Sequence, residues 1–364
     1  MSLKEQAVVD ALSKVQDPEL GRSLVSLGMI KELEVHGNKV SLKVELTTPA
    51  CPLKSKIETD VREALKSVNA EDIDLTMTAK VVNSRGTPNE LLSNVKNIIV
   101  VASGKGGVGK STVAANLALA LSQTGAKVGL LDADIYGPSV PILMGIDGAE
   151  HHPETIEVNG EKRILPIKAH GLEVISIGFF VPADTAMVWR GPMIHGALMQ
   201  FMEEVAWSDL DYMVLDLPPG TGDVQLSLSQ KVQVTGAIIV TTPQLMSIAD
   251  VIRAKAFFEK LEIPMLGVVE NMSYFVCSTC NTKHYIFDEG GGSKTAKGFE
   301  LPLLAEIPLY PALREASDKG LPEVIVNPDG PVAKVFTELA QTIAAKISVD
   351  VLSQDIEKIR AQEA

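Results

Sequence analysis

Two short stretches of this 364-residue chain hold residue types whose spacing could do chemistry. Gly104-Lys105-Gly106-Gly107-Val108-Gly109-Lys110-Ser111-Thr112 fits Gly-x4-Gly-Lys-Ser/Thr, the spacing of a phosphate-cradling P-loop. Glycines let backbone N–H groups close on phosphate oxygens without a side-chain clash, and a helix starting there adds partial positive charge. In such a loop Lys110 reaches the β- and γ-phosphates, the Ser111 hydroxyl ligates Mg²⁺ and Thr112 can donate to the α-phosphate. The second stretch is Cys277-Ser278-Thr279-Cys280. Its spacing is shared by zinc sites, iron–sulfur sites and dithiol redox pairs.

These residues need elements to hold them. Asn97–Ala102 is apolar and β-branched after Asn97, as a buried strand requires, and Ser111–Ser122 is an Ala/Leu-rich helix. Tyr212–Leu217 is an apolar strand with Asp216 near its end, a Walker-B pattern in which the aspartate holds Mg²⁺. Pro218–Gly222 follows as a stiff loop suited to sensing the γ-phosphate. The strand Lys127–Leu131 delivers Asp132-Ala133-Asp134 to its C-terminal end, where sheets of this kind place their chemistry. Leu172–Ser176, Ala237–Thr241, Met265–Val269 and Leu301–Glu306 are further strands, Ile248–Leu261 is a helix between two of them, and Val332–Ile347 is a closing helix. Thr155–Leu165 reads as an inserted hairpin turning at Asn159-Gly160. His151 and His152 are adjacent, but on a polar loop without further ligands they read as solvated rather than metal-binding. Arg190, alone before a helix, reads as structural.

The expected fold is therefore α/β over 95–348: a mostly parallel sheet of the P-loop NTPase kind with helices on both faces. A small α+β domain over 1–82 precedes it. It consists of a helix over Ser2–Val15, a hairpin of Lys31–Val35 and Lys39–Leu46, a helix over Leu53–Val68 and a strand over Asp72–Thr78. Residues 83–94 are turn-rich and polar, as a linker is. Residues 349–364 have few apolar residues and read as an acidic tail.

Composition narrows the function classes. The net charge of −13 argues against a nucleic-acid surface, and 46% hydrophobic with 4% aromatic content suits Ala/Val/Ile/Leu packing. No apolar run is long enough to span a membrane, and the N-terminus lacks the basic start and apolar block of a signal peptide. Three cysteines, an odd number, argue against a secreted disulfide scaffold. A cytoplasmic location is expected.

Thiol arithmetic sharpens the second stretch. A structural zinc or a [4Fe–4S] cluster commonly takes four thiolates. The α/β domain has two, and a two-fold dimer supplies two plus two at its axis. A redox pair would open a helix, whereas Asn281–Phe287 reads as turn and strand, as in a metal knuckle. His284 in that segment is an exposed residue on this reading.

Lys105, a second lysine directly after the first glycine, resembles the deviant P-loop of the MinD/ParA/nitrogenase-iron-protein/arsenite-ATPase group. More of the chain is similar to the Mrp/ApbC iron–sulfur carriers: Gly104–Thr112, Asp132–Ser139, Trp189-Arg190-Gly191-Pro192, Asp216–Asp223, and Glu270-Asn271-Met272-Ser273 leading to Cys277 and Cys280. The resemblance implies an ATP hydrolase of slow, switch-type turnover. It implies a homodimer in which Lys105 contacts the nucleotide of the facing subunit, Asp134 orients the attacking water, and Asn271 with Pro308 flanks the adenine. It implies ATP, Mg²⁺ and a [4Fe–4S] cluster bridging two chains, with scaffold and recipient apo-proteins as partners; neither nucleic acid nor membrane is expected, on charge and on the lack of a spanning or anchoring segment. Asp17-Pro18-Glu19 with Thr47-Thr48-Pro49-Ala50-Cys51-Pro52 resembles a PaaD-like domain, which implies a cluster-transfer role for Cys51. The four-cysteine N-terminal motif of eukaryotic Mrp/ApbC relatives is missing, leaving one bridging site per dimer. Competing readings are a MinD/ParA-type positioning switch and a zinc-stapled ATPase scaffold.

Overall fold

A computed structural model describes residues 3–85, 91–135, 137–148, 151–158, 160–180, 191–220, 226, 228, 231–277 and 279–363. The chain divides into two compact units, Met1–Val82 with Ala344–Ala364, and Asn83–Ile343.

The first unit contains α1 (Glu5–Leu12), β1 (Ile30–His36), β2 (Lys39–Leu46), α2 (Lys54–Ser67) and β3 (Asp72–Ala79). β2 pairs antiparallel with β1 and parallel with β3. Its alternation puts Val40, Leu42, Val44 and Leu46 on the buried face. Ile57, Val61 and Leu65 recur at helical spacing on α2, and with Val8 and Leu12 of α1 they complete one core.

The second unit is built on an eight-stranded sheet. Its members are β4 (Val95–Ser103), β5 (Val128–Asp132), β8 (Ile167–Ala169), β9 (Leu172–Ser176), β10 (Leu210–Asp216), β11 (Gly236–Thr241), β12 (Met265–Asn271) and β15 (Leu303–Ile307). A separate hairpin pairs β6 (Thr155–Val158) with β7 (Glu161–Ile164); another pairs β13 (Phe275–Val276) with β14 (Lys283–His284). The helices are α3 (Lys110–Gln123), α4 (Val140–Leu143), α5 (Gly191–Glu203), α6 (Leu245–Lys260), α7 (Gly291–Gly298), α8 (Pro311–Asp318), α9 (Glu323–Val326) and the start of α10 (Pro331–Glu363), whose residues from Ala344 onward belong to the first unit. Strand order is β8-β9-β5-β10-β4-β11-β12-β15, and only the edge strand β8 runs antiparallel to its neighbour. The expected mostly parallel α/β sheet is what folds.

The central strand β4 is buried along almost its whole length, as a strand covered on both faces must be. α3 is buried from Val113 through Leu121, so its Ala/Leu content faces packed neighbours all round. Because the strands are parallel, the C-terminal ends of β4, β5 and β10 come to one edge, and register pairs Asp216 with both Asp132 and Val101.

Three elements differ from the sequence expectation. The closing helix does not stop at Ile347 but runs as α10 to Glu363, through the residues read as a tail. Glu, Lys, Gln, Arg and Ala are strong helix formers, so the helix outlasts its apolar stripe. α7 forms on Gly-Gly-Ser-Lys-Thr-Ala-Lys-Gly, where propensity predicts none. β8 is a short edge strand that periodicity could not reveal.

Candidate functional site

The P-loop runs from the end of β4 into α3. Gly109 has φ +81, a left-handed conformation natural to glycine, and a Cβ there would collide with the Asn271 amide. A Cβ at Gly104 would lie 2.5 Å from the Asp250 backbone, so α6 packs directly against the loop. Val108 is buried and its carbonyl accepts a 2.8 Å hydrogen bond from Asn271 Nδ2. Ser103 Oγ donates to the Lys105 carbonyl at 2.9 Å, and Gly220 N–H donates to the Ser103 carbonyl at 2.8 Å. The loop after β10 is thereby fastened to the P-loop strand.

Lys110 is 6% exposed. Its ammonium lies 2.6 Å from Asp216 Oδ1, 3.3 Å from Asp134 Oδ2 and 3.3 Å from Ser111 Oγ. Asp132 and Asp216, register partners on adjacent parallel strands, are both fully buried. Burial first, and then the Asp216 carboxyl, pushes Asp132 up to about 8, against hydrogen bonds from Ser176 and the Asp134 backbone. Burial also raises Asp216, while the Lys110 ammonium and the Ser111 hydroxyl pull it down. Ser176 Oγ donates to Asp132 Oδ2 at 2.9 Å and Asp134 N–H to Asp132 Oδ1 at 3.1 Å, so Asp132 fixes the backbone that carries Asp134. Asp216 Oδ2 is buried without a hydrogen-bond partner among the described residues. A carboxyl oxygen short of a partner beside a serine hydroxyl suits a hard cation such as Mg²⁺.

Lys105 is half-buried, and its ammonium rests 3.4 Å from Gln244 Oε1 at the start of α6. Gly106 and Gly107 are exposed on the loop, and Ser111 and Thr112 are half-buried in the first turn of α3. Asn271 ends β12, opposite Ile307 in the ladder, so the buried Pro308 follows its register partner. The structure thus brings Asn271 and Pro308 to one place, and adds that Asn271 grips the P-loop.

Cys277 and Cys280 lie on the turn between β13 and β14, Cys277 half-buried and Cys280 exposed. Backbone N–H groups of Cys280 and Thr279 turned toward the Cys277 sulfur hold its thiol below the ordinary range, helped by the Cys280 side chain. Cys277 N–H donates to the Thr282 carbonyl at 3.0 Å, and Lys283 Nζ sits 4.1 Å from the Tyr274 ring centroid. This is the turn-and-strand arrangement expected of a knuckle, and His284 on β14 is exposed. Among the described residues no group of three or more His, Cys, Asp or Glu is arranged to hold a metal ion. His152 Nδ1 is instead 3.0 Å from the Phe179 carbonyl.

In the first unit Cys51 is half-buried. Burial, with Glu19 and Asp17 adding negative charge, pushes its thiol up, partly offset by a Leu53 backbone hydrogen bond and by Lys54. Asp17 Oδ1 accepts the N–H groups of Glu19 and Leu20 at 2.9 and 3.0 Å, which holds the Asp17-Pro18-Glu19 segment in a tight turn. Tyr136, Asn159, Trp189, Arg190, Gly222, Asp223, Ser278 and residues 86–90 of the linker lie outside the described residues. Sequence reasoning passed over Ser176 and Gln244, which lie outside any motif; only their placement at strand and helix ends puts them beside the P-loop acids and Lys105.

Residues 94–344 match the profile of the ParA family, described as NUBPL iron-transfer P-loop NTPase. The chain belongs to this family. Residues 5–74 match a second family, described as iron–sulfur cluster assembly protein. An iron–sulfur cluster carrier protein of Deinococcus radiodurans is 50% identical over 349 residues, covering 96% of this chain and 97% of that protein. One of Escherichia coli K12 is 44% identical over 344 residues, covering 93% and 91%. Among solved structures, a nucleotide-binding protein from Archaeoglobus fulgidus in complex with ADP is 39% identical with a TM-score of 0.55, covering 63% of this chain and 88% of that one. The family fold accounts for the P-loop edge, and the chain is a P-loop NTPase. No helix among the described residues is long and apolar enough to cross a membrane.

Proposed function

We propose that this chain is an ATP-driven iron–sulfur cluster carrier of the cytoplasm, working as a homodimer that holds a [4Fe–4S] cluster between Cys277 and Cys280 of two copies. The observation that carries this reading is the physical link between its two sites. Asn271, whose amide grips the P-loop, lies just before Cys277 on the same run of chain. The names of the relatives support iron–sulfur cargo, and the thiolate count supports sharing it between two chains.

In the nucleotide-free chain Lys110 is held by Asp216 and Asp134. On ATP binding it moves to the β- and γ-phosphates, and Gly104–Thr112 wraps the phosphate chain with its backbone N–H groups. Asp216 and Ser111 would hold Mg²⁺, which when bound would neutralise phosphate charge. Lys105 leaves Gln244 for the triphosphate of the facing copy, and Asn271 with Pro308 flanks the base. Asp134, with its backbone fixed by Asp132, orients the attacking water. Loss of the γ-phosphate relaxes the Pro218–Gly220 loop, which Gly220 fastens to the P-loop strand, and the interface loosens around the cargo. Cys51 serves as a further thiol in handing to apo-proteins a cluster received from a scaffold.

Anaerobic reconstitution with iron and sulfide tests this. We expect visible thiolate–iron absorbance, iron and sulfide matching one [4Fe–4S] cluster per two chains, and a dimer by light scattering. Zinc as the sole occupant of the thiols, or a strict monomer whatever nucleotide or iron is supplied, would overturn the proposal.

A further inference from the structure

The thiol pair sits on an excursion from the sheet that leaves after Ser273 and returns at the start of α7. Its outgoing end continues the ladder briefly: Ser273 N–H donates to the Ile307 carbonyl at 2.9 Å and Leu309 N–H to the Tyr274 carbonyl at 2.7 Å. Its returning end is Gly291-Gly292. One side chain touches both ends. Glu270, near the end of β12 and 0% exposed, accepts the Ser273 hydroxyl on Oε1 at 2.5 Å and the Gly292 N–H on Oε2.

The glycines are there because the approach is close. A Cβ on Gly292 would lie 2.7 Å from Glu270 Cβ, and one on Gly291 would strike the Pro243 backbone. Two glycines at a helix start weaken the helix, so α7 depends on what it is packed and bonded to. Within the excursion, Phe275–Val276 pairs with Lys283–His284 in a hairpin of two short strands, which is marginal by itself. Its geometry is set where it is rooted.

We propose that Glu270 is a positioning residue for the metal-binding thiols: a single carboxyl group clasps both feet of the Tyr274–Gly290 excursion and thereby fixes where Cys277 and Cys280 stand. Glu270 touches neither thiol and acts through Ser273 and Gly292. This rests on the reading that Cys277 and Cys280 hold the cargo. Groups that orient metal ligands from outside the coordination shell characteristically change metal affinity by about 10–100-fold when removed.

The test uses the full chain, reduced and anaerobic, titrated with Co²⁺ while thiolate–metal absorbance is followed, alongside hydrogen exchange of residues 274–292. Glu270→Ala is expected to weaken Co²⁺ binding by about tenfold or more and to speed exchange in the hairpin. Ser273→Ala frees one foot only and is expected to give a smaller loss with the same local exchange signature, which keeps the test decisive if Glu270→Ala folds poorly. Glu270→Gln can accept from Gly292 and donate to the Ser273 oxygen, so it is expected to restore near-wild-type affinity. Unchanged affinity and exchange in Ser273→Ala and in any folded Glu270→Ala, or a Gln variant as impaired as the Ala variant, overturns the clasp. A wild-type chain that gives no thiolate–Co²⁺ absorbance sinks instead the reading of the thiols as the metal site.

Discussion

At the phosphate edge, Lys110 is 6% exposed and both Asp132 and Asp216 are fully buried, each bonded to another group of the same chain. At the cysteine hairpin, Cys280 is exposed, Cys277 is half-covered, and the nearest bonds come from the turn itself. Both regions grow from C-terminal ends of strands in one sheet. They differ in whether the chain satisfies its own reactive groups. The phosphate edge is paired within the chain through Lys110, with Asp216 Oδ2 left open among the described residues. The hairpin leaves Cys280 exposed and Cys277 half-covered, with the Cys280 thiol donating to Thr282 Oγ1 at 3.3 Å. Buried charge without a partner is costly, while an exposed thiol is not, so the two sites should respond to truncation in opposite ways.

The sharpest test of that contrast is Cys277→Ala. We expect complete loss of cluster loading, read by iron and sulfide analysis, with a melting temperature within about 1 °C of wild type, because surface changes of this kind alter stability little. A large loss of stability would show that the hairpin is a structural staple and would break the comparison.

Lys110→Ala is the converse. It removes the cation between Asp216 and Asp134 and leaves buried carboxyl groups facing one another. We expect a loss of about 3 kcal/mol by denaturant titration of the nucleotide-free protein, on the scale for breaking a buried pair. Loading of the thiols on the same protein should fall far less than in Cys277→Ala. A variant as stable as wild type would mean that the carboxyl groups do not depend on Lys110 for their burial.

How much of this was legible in the sequence follows the same divide between local and assembled features. The P-loop and Asp216 could be read because each motif is contiguous and flanked by the strand or helix that positions it. The turn-and-strand placement of Cys277 and Cys280 could be read for the same reason. The Asp132–Asp216 coupling could not, since it depends on β10 inserting between β4 and β5. Nor could the grip of Asn271 on Val108, which spans from β12 to the loop after β4. α7 was hidden because its glycines answer to Glu270 and Pro243, so tertiary fit overrides propensity there. The extension of α10 to Glu363 was hidden for the opposite reason: apolar periodicity fades there while a run of good helix formers continues.

The smallest expected effect compares the hairpin with the thiol of the first unit. Thiolate is the species that alkylates, so the rate for each cysteine rises with pH through its own pKa. At Cys277, N–H groups of Cys280 and Thr279 favour the thiolate, so its profile should rise at lower pH than an ordinary thiol. At Cys51, burial first and then Glu19 and Asp17 disfavour it, so its profile should rise at higher pH. Near neutral pH the metal-free, reduced chain should therefore label at Cys277 well ahead of Cys51, with peptide mass spectrometry assigning each site. Glu19→Gln removes one acidic neighbour of Cys51 and should shift that profile downward modestly, leaving it above the ordinary range because burial is the larger cause. The Cys277 profile should not move. Coincident profiles for the two cysteines would mean that their surroundings do not separate them, and that readiness to bind metal at the hairpin comes from pairing two sulfurs alone.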